Sequence, residues 1–60
     1  MTPTNAIIKL KALHGTVDVL NTNLFAVTED GTRLLYRIKS DVLERRADID
    51  EHTCVWEEVE

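Results

Sequence analysis

Leu24-Phe25-Ala26-Val27-Thr28-Glu29-Asp30-Gly31-Thr32-Arg33-Leu34-Leu35-Tyr36-Arg37-Ile38 sets two β-rich runs on either side of an Asp-Gly pair. Asp-Gly supplies the two positive-φ residues of a type I′ turn, whose twist suits antiparallel strands. With Asp30 and Gly31 as the loop, Glu29 faces Thr32, Val27 faces Leu34 and Phe25 faces Tyr36. Side chains alternate along a strand, so the Val27–Leu34 and Phe25–Tyr36 pairs share one face. The other face receives Ala26 against Leu35 and Leu24 against Arg37. Aromatic pairing at Phe25–Tyr36 is worth ~0.2–1 kcal/mol over an alanine pair.

Working back from this hairpin, Asn21-Thr22-Asn23 is a connector, because asparagine bonds its own backbone and tolerates left-handed φ. Before it, Ile8, Leu10 and Ala12 alternate with Lys9 and Lys11, the pattern of a half-buried strand. His14-Gly15 then reads as a second two-residue turn, pairing Ala12 with Val17, Lys11 with Asp18 and Leu10 with Val19 in a hairpin from about Ile7 to Leu20. A helix ending at Gly15 is the rival, since Ala, Leu and Lys are good helix formers. The alternation favours the strand. Met1 to Asn5 reads as a loose lead-in, with Met1 a genuine start.

Working forward, Ser40 or Asp41 is a suitable N-cap, and Val42-Leu43-Glu44-Arg45-Arg46-Ala47 propagates a short helix over about 41–47. Asp48 to His52 reads as a loop, and residues 53–59 as a fifth strand. The expectation is one mainly β domain over 1–60. It consists of a four-stranded antiparallel meander, a short helix and a last strand. Apolar residues on both faces of the sheet require a second cover, from barrel closure, a helix or another subunit. The order of elements resembles a small SH3-like barrel in architecture, with an open sheet carrying one helix as the alternative. Folds of this kind host many unrelated functions.

Composition narrows the function. Sixty residues bury about 60% of their unfolded surface, which leaves stability marginal without a disulfide, a metal or a partner. One cysteine, Cys54, forms no internal disulfide and suits a reducing, cytoplasmic setting. No apolar run reaches the ~20 residues of a membrane helix, and the N-terminal residues lack the pattern of a signal peptide. Net charge is −4, unevenly spread. Residues 1–39 hold five basic side chains against three acidic ones, and residues 40–60 hold two arginines against eight carboxylates. Acidity of this kind disfavours a nucleic-acid partner.

His14, His52 and Cys54 are the only soft metal ligands; a closed zinc site takes four, and a catalytic site of about three would have to draw His14 from a hairpin tip. The run Asp48-Ile49-Asp50-Glu51 lacks the glycine and distal glutamate of an EF-hand loop. No glycine-rich elbow orients Cys54 as a nucleophile. No catalytic residue, metal or cofactor is therefore assigned. His52 reads as a solvated loop residue and Cys54 as a small buried hydrophobe. Trp56 reads as a core-closing side chain, with an interface role as the rival.

The acidic segment suggests a non-enzymatic protein-binding module, an inhibitor or adaptor of a larger host complex of the phage or mobile-element anti-defence kind. Its partner-binding residues would be Asp48, Asp50, Glu51, Trp56, Glu57 and Glu58. Carboxylates presented together steer association with a cationic surface, as a nucleic-acid mimic does. The alternatives are a homodimeric nucleic-acid-binding regulator using Lys9, Lys11, Arg33, Arg37 and Lys39 on a basic sheet face, or a structural subunit of an assembly.

Overall fold

The computed structural model describes residues 1–59. Its central hairpin is the one the Asp30-Gly31 pair dictates. Asp30 and Gly31 adopt φ of 52° and 79°, and Leu24–Glu29 pairs with Thr32–Lys39 through Val27↔Leu34, Phe25↔Tyr36, Ala26↔Leu35 and Leu24↔Arg37. Around it the chain forms helix α1 (Pro3–His14) and strands β1 (Asp18–Asn21), β2 (Leu24–Glu29), β3 (Thr32–Lys39), β4 (Val42–Asp48) and β5 (Cys54–Glu58). The strands make one antiparallel sheet in the order β1-β2-β3-β4-β5. The protein is thus mainly β with one short helix, and β1 and β5 are the edges of an open sheet.

Two elements lie elsewhere than the sequence suggested. Ala6 to Leu13 is helical, so there is no hairpin at His14-Gly15. Thr2 is the N-cap, its Oγ1 accepting from the Asn5 N–H at 3.2 Å, and Pro3 opens the first turn, where its missing N–H costs nothing. The supposed loose lead-in is therefore the start of the helix. Gly15, at φ 88°, caps its end, and its N–H donates to the Lys11 carbonyl at 2.8 Å. Ala6 and Leu10 are fully buried, and Pro3, Ile7 and His14 are half-buried beside them. Positions 3, 6, 7, 10 and 14 form one helical stripe. The strand-like alternation arose because Ile8 and Ala12 lie off this stripe, in solvent.

The helix expected at 41–47 is β4, and Ser40-Asp41 is a hairpin turn rather than an N-cap. Lys39 pairs with Val42 across it, and Ser40 and Asp41 take φ of 52° and 63°. This is a type I′ geometry made without glycine. The left-handed region costs an L-residue roughly 1–2 kcal/mol, and pairing on both sides of β4, with β3 and β5, outweighs that cost together with the helix propensity of Leu43-Glu44-Arg45-Arg46-Ala47. The Met1 amino group donates to the Asp41 carbonyl and braces the turn. Replacing Ser40-Asp41 by Asn-Gly is expected to stabilise the protein by about 1–2 kcal/mol, read as a higher midpoint in thermal or urea unfolding. No gain would place the strain elsewhere. Between β1 and β2, Thr22-Asn23 forms the turn, with the Asn21 side chain accepting from the Asn23 N–H at 2.9 Å.

The core lies between α1 and one face of the sheet. Ala6, Leu10, Phe25, Val27, Tyr36 and Leu43 are buried there, with Met1, Ile7, Val17, Leu34, Ile38 and Val59 packed around them. Among the described residues no polar or charged residue is buried. One polar tie joins helix and sheet: His14 contacts Tyr36 Oη through Nε2 at 2.9 Å and Glu29 Oε2 through Nδ1 at 2.8 Å. In the tautomer with hydrogen on Nδ1, that N–H donates to the carboxylate and Nε2 accepts a hydrogen bond from the tyrosine hydroxyl.

Candidate functional site

The six residues singled out from the acidic segment do not share one surface. β4 reverses into β5 through residues 49–53, where the Ile49 and Asp50 N–H groups both donate to the Thr53 carbonyl, at 2.9 and 3.2 Å. Asp50 Oδ1 accepts from the His52 N–H at 2.8 Å, an Asx turn. That backbone bond holds the Asp50 carboxyl below the ordinary aspartate range. A group depressed in this way supports the folded loop above its ordinary pKa, and the support is lost as pH falls through its folded value. Asp48, Asp50 and Glu51 are all exposed at this reversal. With Arg46, His52, Thr53 and Cys54 they line an open concavity of about 300 Å³.

Trp56, Glu57 and Glu58 lie along edge strand β5. Alternation and the β4–β5 register put Glu57 on the helix side of the sheet and Trp56 with Glu58 on the opposite face. Trp56 does not close the core. It is half-buried on the face away from the helix, with the Arg37 guanidinium 4.2 Å above its ring centroid, a cation–π contact. Arg37 is tied in turn to Glu44, Nε to Oε1 at 2.8 Å. Three flat or extended side chains thereby shield the middle of the open face. Cys54 is exposed rather than buried, paired across from Asp48, and His52 is exposed as expected of a loop residue.

Part of the acidity is balanced in place. Glu57 approaches Arg45 at 3.8 Å and Asp48 approaches Arg46 at 3.4 Å. These are exposed pairs of the kind that contribute about 0–1 kcal/mol. Asp50, Glu51 and Glu58 have no arginine or lysine within 4 Å among the described residues. The basic sheet face expected from the sequence is broken up, because Lys9 and Lys11 lie on α1. Arg33, Arg37 and Lys39 remain on the sheet, on the face away from the helix.

No group of three metal-capable side chains gathers among the described residues, and no described helix is long and apolar enough to cross a membrane. The His14–Tyr36–Glu29 cluster was not foreseen. Its signal was the spacing of His14 four residues beyond Leu10 and eight beyond Ala6, which is visible only once the segment is read as a helix. No family model, curated protein or solved structure matches this chain.

Proposed function

We propose that the chain is a non-enzymatic protein-binding module that docks on a cationic surface of a larger partner through the Asp48–Cys54 reversal. The gathering of Asp48, Asp50 and Glu51 around one exposed, hydrogen-bonded turn supports this reading. A turn held by its own backbone bonds presents its charges at little further entropic cost on binding. Asp50 and Glu51 are exposed and form no ion pair with arginine or lysine among the described residues, which leaves their charge available to a partner. An inhibitor or adaptor acting on a host complex, of the phage or mobile-element anti-defence kind, fits a small acidic domain of this design. Nucleic acid is the weaker partner: net charge is −4, and the open-face cations share that face with Glu44, Asp48 and Glu58.

The test is affinity capture by the purified protein from a lysate of the cells that encode it. Wild type is expected to retain a stoichiometric protein partner that elutes with added salt. Asp48→Asn, Asp50→Asn and Glu51→Gln together should lower retention about tenfold or more, given ~0.5–1 kcal/mol per exposed carboxylate. Retention equal to wild type would remove the acidic reversal from the interface.

A further inference from the structure

The core between α1 and the sheet stops short of the β4–β5 reversal. β3 pairs with β4 only as far as Tyr36↔Arg45, while β4 and β5 continue together through Arg46↔Trp56, Ala47↔Val55 and Asp48↔Cys54. The Ile49 N–H, donating to the Thr53 carbonyl, carries the same register one step further and sets Ile49 opposite Thr53. The end of this hairpin is therefore a two-stranded arm beyond the last pair that β3 makes with β4.

Alternation sorts the side chains of the arm. Arg45 and Glu57 are on the helix side of the sheet, so Ala47 and Val55, the next pair but one, are on that side too, and Ile49 follows Ala47 by one more alternation. The core cluster contains none of these three. Ala47 is half-buried and Val55 is 41% exposed. Ile49 is 64% exposed, more than any other large apolar side chain among the described residues. Neighbours opposite or diagonal across two strands lie roughly 5–8 Å apart, so the three form one apolar strip. Ile8, 61% exposed on α1, stands alone by comparison. Its neighbours three and four residues away on the helix are Thr4, Asn5, Lys11 and Ala12. A single exposed apolar residue of that kind is ordinary.

We propose that this strip, with Ile49 as its anchor, is the apolar contact beside the acidic reversal, and that it fits a protein partner whose apolar pocket is bordered by lysine or arginine. The inference rests on the reading of the chain as a protein-binding module. Isoleucine and valine are branched at Cβ and hold few rotamers, so burying them costs little side-chain freedom. The Ile49 main chain is already held by its bond to Thr53. Charge sets the chemistry of the border. Asp50 and Glu51 follow Ile49 directly, and both are exposed and form no ion pair with arginine or lysine among the described residues. A pocket that takes Ile49 brings its border against these carboxylates, where basic groups are complementary and acidic ones are repelled. An apolar centre beside polar contacts is the usual anatomy of a binding hot spot.

The experiment measures affinity for the partner that wild type retains, with each variant purified and its melting curve recorded. Ile49→Ala should bind about tenfold or more weakly, Val55→Thr several-fold more weakly, and Ile8→Ala as wild type does, all with unchanged melting. Ile49→p-benzoylphenylalanine should photo-crosslink to the partner, and Ile8→p-benzoylphenylalanine should not. Wild-type affinity in Ile49→Ala overturns the proposal, as does equal weakening in Ile8→Ala or a crosslink from position 8 alone. Loss of binding on neutralising Asp48, Asp50 and Glu51 but not in Ile49→Ala removes the anchor and leaves the acidic contact standing. The opposite result keeps the anchor and removes the acidic contact. A wild type that retains no protein removes both.

Discussion

Leu10→Ala is expected to unfold much of the population at 37 °C, whereas Ile8→Ala, two residues earlier, leaves the melting curve in place. Leu10 is 0% exposed between the helix and the sheet, and Ile8 is 61% exposed. Truncating a buried leucine costs about 2–5 kcal/mol through lost transfer energy and the cavity left behind. A single core in a chain of this size supplies only about 3–5 kcal/mol in all, so the loss is comparable to the total. Two residues apart on a strand, both side chains would point to one face and respond alike; on a helix they are about 200° apart. Thermal unfolding followed by circular dichroism separates these cases. Equal sensitivity at both positions would mean that the segment is not the helix described.

His14→Ala should have the next largest effect. The substitution leaves the Tyr36 hydroxyl, on a side chain only 2% exposed, without its partner, and frees the Glu29 carboxylate. A hydrogen bond involving a charged group contributes about 1.5–3 kcal/mol, and a buried group left unsatisfied costs a similar amount. In a domain of this size each kcal/mol is worth about 4–8 °C in Tm, so a fall of roughly 10 °C or more is expected. Tyr36→Phe in the same background should then cost much less than in wild type, because its partner has already gone. Full additivity of the two substitutions would show that ring and hydroxyl do not act together.

The β2–β3 hairpin was legible to the residue because one dipeptide determines it. Asp30-Gly31 fixes the turn, the turn fixes the register, and the apolar pattern on either side agrees with both. The helix was harder to see because its apolar residues are not confined to one face. Ile8, Ala12 and Leu13 are exposed, and with the lysines between them they imitate a two-residue period. The stronger signal was at the start, where Thr2 followed by Pro3 offers a cap and a first helical residue. At β4 the sequence speaks for a helix, and Ser40-Asp41, which suits an N-cap as well as a turn and holds no glycine or asparagine, does not contradict it. Only the partners on either side make it a strand, and partners are not visible locally. The acidic reversal was legible as a loop. The separation of Trp56 and Glu58 from Glu57 follows from strand alternation, but which set turns towards the helix does not, since that is fixed by pairing with β4.

The unbroken neighbour-to-neighbour order of the sheet bears on how the chain assembles. Each strand finds its mate across a short reversal, so zipping the sheet requires little loop closure and each step leaves the next pairing close at hand. The helix is the exception, because Leu10 must meet Phe25, Tyr36 and Leu43, residues far along the chain. Its docking is the long-distance event, and it also completes the core formed by the described residues. An assembling chain that has formed all its hairpins therefore still lacks its interior until the first twelve-residue element comes down upon them.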